Sequence, residues 1–447
     1  MIRRSLMCGL VALLLLFAGV GAGPAMAWDG TTHMRITELA IGEVRDPALK
    51  AFLRRHRDVV LTAADFPDWG HHLKPHGDVL HLRWPGAVWE HIRRQGSAAH
   101  PALIAQAMGA WAHVAEDRML DATLKAAACE VGECTRDDME LGLLVPSFFP
   151  YARDHRIVQP DADIAAIYAE QRYFGDPRLD ARTYPGTIAE DMGALEVGRR
   201  KHKLLSWLTG DWARRAFPWS AANVRTAPGG LQVEAAAVAR GWEADWAALH
   251  GRAAPILVAT IPAEGGHLAS LDPRSAFGRI LVLSRRIVDF TRLPPVTLTD
   301  AKGQAIPVRL RPYIPESGAT PDFAFLVVSA RPWQKGEGYT LTVPAAPGRM
   351  DAPMVVHFTG QDGSGFAPPV KATSPLWRFG LFLFGIVGGV GMLLLGAPSC
   401  LQRMGRLRRP GIGAQVTRAV GAVLLGVGVY LLVTDGESVI AFLRVHH

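Results

Sequence analysis

Cysteine is scarce in this sequence, which narrows the chemistry available for stabilisation and for metal binding. Only four cysteines occur in 447 residues: Cys8, Cys129, Cys134 and Cys400. A zinc site built from thiolates needs several cysteines close together, and this pattern does not provide them. Cys129 and Cys134 are near enough in the chain to pair, so we predict a disulfide between them in an oxidising compartment.

The sequence also lacks a strong excess of either charge and any internal repeat. Its formal net charge is +7 and its pI about 9.4, a modest basic balance that does not favour a nucleic-acid partner. Strands and helices do not alternate along the chain, which argues against a parallel α/β sheet. With 447 residues, the chain is long enough for two or three domains, each with its own core.

Residues 1–27 have the pattern of a secretory signal peptide. Two arginines precede an apolar run from Leu10 to Val20, and the AMA sequence at 25–27 provides a small-x-small cleavage site. Positive charge, apolar core and small residues in this order are typical of a leader that is removed on export. We therefore predict that the mature chain starts at Trp28.

Two apolar segments near the end of the sequence predict a membrane anchor. Residues 379–398 are long enough to cross a bilayer, and residues 419–434 could cross with help from a flanking arginine. The segment 399–418 between them contains several arginines and should be cytoplasmic by the positive-inside rule. The short tail, 435–447, would return to the outside. This pattern predicts a protein of the bacterial inner membrane, with its main domains on the periplasmic side.

The exported part divides into a helical half and a strand-rich half. A helical pattern covers 28–250, whereas short β-type runs separated by turn residues cover 254–360. The residues Asp300–Gly303 predict a hairpin turn. The segments TIPAEGGHLA and GEGYTLTVPA resemble bacterial immunoglobulin-like (Ig-like) modules, which permit a protein partner. Residues 361–375 are expected to be a flexible linker. The predicted fold class is mainly α-helical, followed by an all-β Ig-like sandwich and a two-helix transmembrane hairpin.

Histidine and aspartate are concentrated in three clusters of the helical half. The first contains His33. The second spans 65–81 and contains Asp65, Asp68, His71, His72, His76, Asp78 and His81. The third places His113, Asp117 and Asp121 four residues apart, so that a helix would align them on one face. One such pair alone would indicate a surface hydrogen bond. Three clusters of imidazoles and carboxylates predict a site for a borderline cation such as Zn²⁺.

The N-terminus of the processed chain would add a further ligand. An α-amino group titrates near neutral pH, and a nearby cation lowers its pKa further. Together with its own carbonyl oxygen, the amine of Trp28 could chelate a metal ion. Cleavage of the leader directly before Trp28 would create this chelate.

Residues 28–250 resemble the bacterial zinc-dependent phospholipases C and, more distantly, the fungal zinc single-strand nucleases. The resemblance rests on Trp28, on the segments TTHMRITELAI and AADF, and on the Gly-x-x-x-His-x-x-x-Asp pattern in MGAWAHVAED. It implies a helical zinc phospholipase C-like domain in which two Zn²⁺ ions share one bridging carboxylate, that of Asp117. The ligands implied for the first ion are Trp28 and His33. Those implied for the second are Asp65, His81 and His113, with His76 as the alternative to His81.

The third metal of that family is altered in this sequence. Where the family has two histidines, this chain has Thr123 and Arg136, and Asp121 and Glu140 are the carboxylates left as ligands. An arginine cannot bind a cation, because it stays protonated. Arg136 would contact a substrate phosphate, pair with Asp121 and Glu140, or lie at the surface. The resemblance therefore implies two zinc ions and leaves a third open.

The resemblance implies hydrolysis of glycerophospholipids by metal-activated water, as in a phospholipase C. Asp65 would accept the proton of the water, and Arg136 would neutralise negative charge that develops on the phosphate. Two alternatives stay open. One is a single-strand nuclease or phosphatase on the same scaffold. The other is a catalytically degenerate zinc-binding protein that interacts with partners.

Overall fold

The computed structural model describes residues 30–69, 79–95, 99–133, 158, 217–313, 322–345, 353–361 and 420–421. Within these residues, α-helices come first and β-strands follow, in the order that the sequence predicts. The helices are α1 Gly30–Glu43, α2 Pro47–Arg55, α3 Arg57–Trp69, α4 Val79–Gln95, α5 Pro101–Ala122, α6 Leu124–Glu130, α7 Pro218–Asn223 and α8 Leu231–Leu249. The strands are β1 Leu257–Ile261, β2 His267–Leu268, β3 Ile280–Val288, β4 Thr297–Asp300, β5 Val308–Pro312, β6 Asp322–Ser329, β7 Gly338–Val343 and β8 Met354–Gly360.

The chain divides into two compact units. One comprises 1–214 and 219–368, and the other comprises 215–218 and 369–447. The first unit contains all eight strands and every helix above, apart from the first residue of α7. Helices and strands thus belong to one compact unit. The division into separate domains at 28–250 and 254–360 stays a prediction.

Helix α5 is the central element of the helical half. It begins after His100 with a proline, which is favoured in the first turn because its missing N–H needs no partner there. Nineteen of its 22 residues are buried. A helix that is buried on nearly every side cannot show the one-sided apolar stripe of a surface helix. Its polar residues therefore lie inside the protein, where each needs a bonding partner.

The helical segment that carries His113, Asp117 and Asp121 ends at Thr123, where α6 begins. Thr123 leaves the helical conformation with φ −127° and ψ −85°, and its hydroxyl donates to the carbonyl oxygen of Met119. Gly229 packs directly against it, since a Cβ on Gly229 would lie 1.8 Å from Oγ1 of Thr123. A segment distant in the sequence therefore packs at the break. After it, α6 carries Cys129, which is disulfide-bonded. Cys134 lies outside the described residues, so their pairing stays a prediction.

Two four-stranded sheets form the β-rich half. One has the order β1-β3-β6-β5 with antiparallel neighbours. The other has the order β2-β8-β7-β4, in which β2 and β8 are parallel and the remaining pairs antiparallel. Side chains from both sheets form one buried apolar cluster, which includes Ile280, Phe325, Leu341 and Phe358. The two sheets thus enclose a shared core, as in a sandwich.

A tight turn follows β4 at the position that the sequence predicts. The carboxylate of Asp300 accepts hydrogen bonds from the amides of Lys302 and Gln304, at 3.0 and 2.9 Å. Gly303 has φ +76°, a conformation that glycine adopts without a Cβ clash. Asp300 therefore fixes the turn that reverses the chain after β4.

Buried polar contacts join the helices to the sandwich. Nε of Arg118 on α5 lies 3.1 Å from Oδ1 of Asp322 on β6, and both side chains are buried. The indole of Trp111, also on α5, donates to the carbonyl oxygen of Ser284 on β3 at 3.4 Å. The central helix thus packs against both halves of the compact unit.

The structure corrects the prediction of a two-helix transmembrane hairpin and of the inner-membrane location derived from it. Among the helices that the structure describes, none combines the length and the apolar composition needed to cross a bilayer. The longest, α5, contains buried charged residues, whereas a span needs about 20 mostly apolar residues. The prediction rested on the apolar composition of 379–398 and 419–434, which lie outside the described residues except for 420–421. Apolar composition alone does not establish a continuous helix.

Candidate metal centre

Two helices bring three metal-binding side chains to one buried point. His33 lies on α1, and His113 and Asp117 lie one turn apart on α5. One ligand atom of each residue lies within 4.8 Å of the other two, and all three side chains are buried. Within the described part of the chain, His33, His113 and Asp117 form a group that could hold a metal ion.

The spacing of these atoms suits a small tetrahedral ion. Nε2 of His33 lies 3.3 Å from Oδ1 of Asp117, and Nε2 of His113 lies 3.4 Å from Oδ2 of the same carboxylate. Zinc binds nitrogen and oxygen ligands at about 2.0–2.2 Å, so neighbouring ligand atoms around a tetrahedral ion are about 3.3–3.6 Å apart. Both histidines thus lie at the distance from Asp117 that shared coordination would require.

A backbone carbonyl orients the ring of His113. Nδ1 of His113 lies 2.8 Å from the carbonyl oxygen of Ala64 on α3. Because a carbonyl oxygen can only accept, Nδ1 must carry the proton of this bond. In the neutral imidazole, the lone pair is then on Nε2, the atom that lies near Asp117. A hydrogen bond of this kind fixes both the tautomer and the direction of a metal-binding histidine.

A buried glutamate orients His33 in the same way. Nδ1 of His33 lies 2.7 Å from Oε2 of Glu116, and Oε1 of Glu116 accepts a hydrogen bond from the hydroxyl of Thr37 at 3.1 Å. Both Glu116 and Thr37 are fully buried. Carboxylate, histidine and metal commonly form such a chain in zinc proteins. Glu116 therefore occupies the position from which a carboxylate would support His33 if this histidine bound a metal.

The electrostatics of the centre favour a positive charge between the carboxylates. Burial alone would lower the pKa of His33, but the carboxylates of Asp117 and Glu116 raise it well above its ordinary value. Burial raises the pKa of Glu116 to about 7, although its bonds from His33 and Thr37 oppose the rise. The rings of His33 and His113 are 4.1 Å apart between centroids. A divalent cation would balance the two carboxylates while both imidazoles stay neutral.

The glycine of the Gly-x-x-x-His-x-x-x-Asp pattern has a packing role. A Cβ on Gly109 would lie 2.3 Å from the carbonyl oxygen of Val60 and 2.7 Å from Cβ of Ala63. Helices α3 and α5 can therefore approach closely only because position 109 has no side chain. This approach brings His113, one turn later on α5, within hydrogen-bond distance of Ala64.

Of the other predicted site residues, the structure describes the side chains of Asp65 and Asp121, and the remaining ones lie outside the described part. Asp65 is buried on α3, and Asp121 on α5 pairs with Lys125 at 3.1 Å between Oδ1 and Nζ. Neither belongs to the three-residue group that could hold a metal. His81 is near the start of α4, which begins at Val79, but its side chain lies outside the described part. Trp28, Arg136 and Glu140 also lie outside it, so their roles stay predictions.

Two elements of the centre were absent from the sequence prediction, Glu116 and the carbonyl of Ala64. Glu116 is 83 residues from His33, and the peptide group of Ala64 carries no side-chain signal at all. A glutamate directly before Asp117 on a helix that lacks a polar face was the only available indication. It could not identify His33 as the partner.

Comparisons with known proteins do not identify a family for this chain. No family model matches it, and no curated protein matches it. Among solved structures, it is similar to the crystal structure of an S-layer protein, with 13% sequence identity and a TM-score of 0.19. The similarity covers 62% of this chain and 39% of the S-layer chain. A TM-score this low supports no conclusion about fold or function.

Proposed function

We propose that this protein is a zinc-dependent phosphoric ester hydrolase of the phospholipase C type. The observation that carries the proposal is the buried group of His33, His113 and Asp117, whose ligand atoms lie within 4.8 Å of one another. Two imidazoles and one carboxylate suit zinc, whereas magnesium and calcium prefer oxygen ligands. Three protein ligands also leave a coordination position for water or substrate, as in catalytic zinc sites.

The chain's own residues would prepare this centre for hydrolysis. Bound zinc would supply Lewis-acid activation of water and of a phosphoryl oxygen. Glu116 and the carbonyl of Ala64 would hold the two imidazoles in position, so that little reorganisation is needed when substrate binds. Burial of the ligands would strengthen every electrostatic contact in the centre.

The substrate class comes from the sequence resemblance over 28–250, which implies a glycerophospholipid. In the two-ion arrangement that the resemblance implies, Trp28 would join His33 on one zinc ion. Asp65 and His81 would join His113 on the other, with Asp117 as the shared ligand. Arg136 is the proposed phosphate contact, and Glu140 the proposed remaining carboxylate. These assignments are part of the proposal and are tested together with the activity.

A second candidate function is a zinc-binding protein without catalysis. It is favoured by one observation, that Thr123 is buried and bonded to the carbonyl of Met119, where the phospholipases C that the sequence resembles have a metal-binding histidine. Asp121, the nearby carboxylate, is paired with Lys125. Both residues therefore have structural roles at the place where the third metal would be expected.

Metal analysis and hydrolysis assays on the exported protein, processed to start at Trp28, distinguish these functions. We expect bound zinc, with chelator-sensitive hydrolysis of phosphatidylcholine that exceeds hydrolysis of single-stranded DNA and of p-nitrophenyl phosphate. Asp117→Asn should lose the metal and at least 100-fold of the activity, whereas the matched Asp121→Asn should keep the metal. Bound zinc without any chelator-sensitive activity would support the second candidate. Bound iron instead of zinc, which two histidines and a carboxylate also suit, would contradict both.

A further inference from the structure

A cavity lies between the helices and the sandwich, away from the metal-binding group. Its volume is about 590 Å³, within the range of small-molecule sites. Helices α4 and α8 form one side of it, and the residue directly before β1 and the end of β3 form the other. None of His33, His113, Asp117 and Glu116 lines it. Its properties can therefore be considered separately from the proposed metal chemistry.

Two arginines on the cavity wall share a single carboxylate oxygen. Nη1 of Arg285 and Nη2 of Arg286, both on β3, each lie 2.9 Å from Oδ1 of Asp245 on α8. The side chain of Asp245 is fully buried, whereas those of Arg285 and Arg286 are 10% and 22% exposed. One carboxylate balances only one guanidinium. The other lining carboxylate, Asp289, pairs with Arg292 at 3.0 Å.

The two guanidinium groups are held in place by further contacts. Nε of Arg285 donates to the carbonyl oxygen of Pro255 at 2.8 Å. Nη1 of Arg286 donates to the backbone carbonyl oxygen of Arg285 at 2.9 Å. The guanidinium carbon of Arg286 also lies 5.2 Å from the ring centroid of Trp89, within the range of a cation–π contact. Because the groups are fixed before any ligand arrives, binding would cost little side-chain entropy.

Positive charge accumulates at Arg286 in particular. Burial lowers the pKa of its guanidinium, and although Asp245 opposes this shift, the charges of Arg285 and Arg93 add to it. An anion beside Arg286 would relieve this repulsion. An arginine is suited to the task, because its planar fork matches the oxygens of a carboxylate or phosphate.

The rest of the wall is largely apolar. Trp89 and Ile92 contribute from α4, Leu249 from α8, and Ile256 and Ile287 from the sandwich side. A free inorganic anion would leave these surfaces without a partner. A ligand with a hydrocarbon part would bury them and gain about 25 cal/mol for each Å² of apolar surface removed from water.

We propose that this cavity binds an amphipathic organic anion, a phosphate or carboxylate that carries a hydrocarbon chain. The anionic group contacts Arg285 and Arg286, and the hydrocarbon lies against Trp89, Ile256 and Ile287. The ligand class follows from a paired arginine cluster with excess positive charge beside an apolar wall. The site does not depend on the proposed zinc centre.

Calorimetric titration of the full-length protein tests the proposal with decyl phosphate, decanoate, inorganic phosphate and decanol. We expect decyl phosphate or decanoate to bind with one site per chain and at least tenfold more tightly than inorganic phosphate or decanol. Which of the two binds more tightly identifies the anionic group. Asp117→Asn should bind like the wild type, which keeps this result separate from the fate of the metal centre.

Two variants locate the binding to the cavity. Arg286→Gln should weaken decyl phosphate binding at least tenfold, while Arg309→Gln, at an exposed arginine on β5, should leave it unchanged. Ala248→Phe narrows the cavity from α8 without altering any charge and should also weaken binding. Thermal unfolding and circular dichroism identify the variants that remain folded. Equal affinity for decanol and decyl phosphate, no saturable binding by the wild type, or unchanged binding in both folded cavity variants would overturn the proposal.

Discussion

Two residues next to the group of His33, His113 and Asp117 hold the ring of His33 without belonging to the group. Glu116 holds His33 through Nδ1, and Thr37 in turn holds Glu116. Both contacts are fully buried, so a substitution that removes one partner leaves the other without its hydrogen bond inside the protein. The affinity of the centre should therefore depend on residues that never touch the ion.

We predict that Glu116→Gln lowers zinc affinity about 10- to 100-fold, the usual cost of losing a carboxylate behind a metal-binding histidine. Glutamine keeps an acceptor for His33 but loses the negative charge. Competition with a chromophoric chelator measures the affinity. Asp121→Asn is the matched control, because it removes a carboxylate from the same helix without touching the group. If Glu116→Gln and Asp121→Asn bind zinc equally well, Glu116 has no supporting role.

Asp46 provides a test of local stability and of its pH dependence. Its carboxylate caps α2 by accepting bonds from the amides of Ala48 and Leu49. These bonds, with that to Leu49 first, and the nearby Arg252 lower its pKa. The stabilisation is present above the unfolded pKa of about 4 and is lost as the pH falls through the lower folded value.

We predict that Asp46→Ala lowers the free energy of unfolding by about 1 kcal/mol at neutral pH, as for other helix caps. This loss should become smaller as the pH falls below about 4. Urea unfolding at several pH values measures this. Asp46→Asn is the control, because asparagine still caps the helix but does not titrate. If Asp46→Ala lowers the free energy of unfolding by the same amount at about pH 3 and at about pH 7, the charge of Asp46 has no role.

At the scale of elements, the contact between α3 and α5 sets the position of His113. Gly109 allows the two helices to touch at the backbone, and one turn later the ring of His113 meets the carbonyl of Ala64. The same contact therefore contributes both to the core and to the position of a residue in the candidate metal centre.

We predict that Gly109→Ala destabilises the protein by about 1–3 kcal/mol, the usual cost of overpacking a core, and weakens zinc binding as α5 moves away from α3. Gly42→Ala on α1 is the matched control. A Cβ there meets no atom within 4 Å, so alanine should be neutral or stabilising by about 0.5–1 kcal/mol. Thermal unfolding and metal content measure the two effects. An unchanged metal affinity in Gly109→Ala would show that the contact between α3 and α5 does not affect metal binding.

At the scale of the whole molecule, buried ion pairs join the helices to the sandwich. Arg118 on α5 meets Asp322 on β6, and its guanidinium carbon lies 4.3 Å from the ring centroid of Tyr313. Removing one partner of a buried pair leaves the other charge without compensation, which costs far more than breaking a surface pair.

We predict that Asp322→Ala lowers the free energy of unfolding by about 3–5 kcal/mol. The double variant Arg118→Met with Asp322→Leu should recover most of the loss, because both charges are then absent. Glu90→Ala is the control, since its partner Arg93 is exposed and such pairs contribute at most about 1 kcal/mol. Denaturant unfolding measures all three. A loss in Asp322→Ala no larger than that in Glu90→Ala would mean that this pair does not stabilise the junction.

The sequence by itself determined the order of helices and strands and the alignment of His113 with Asp117. Both follow from local spacing, because residues four apart on a helix lie on one face whatever surrounds them. The turn at Asp300–Gly303 is local in the same sense. Apolar composition at 379–398 and 419–434 was a weaker guide, since hydrophobicity does not establish a continuous spanning helix.

Only the tertiary structure decided which residues meet His33, where α5 ends and what lies between helices and sandwich. His33 and Glu116 are 83 residues apart, and no spacing rule relates positions on different helices. At the break, Gly229 from a distant segment packs against Thr123, and the arginine-lined cavity lies where α8 packs beside β3. Local preferences fix the faces of each element, but the packing of elements selects which faces come together, and the metal-binding group is a product of that packing.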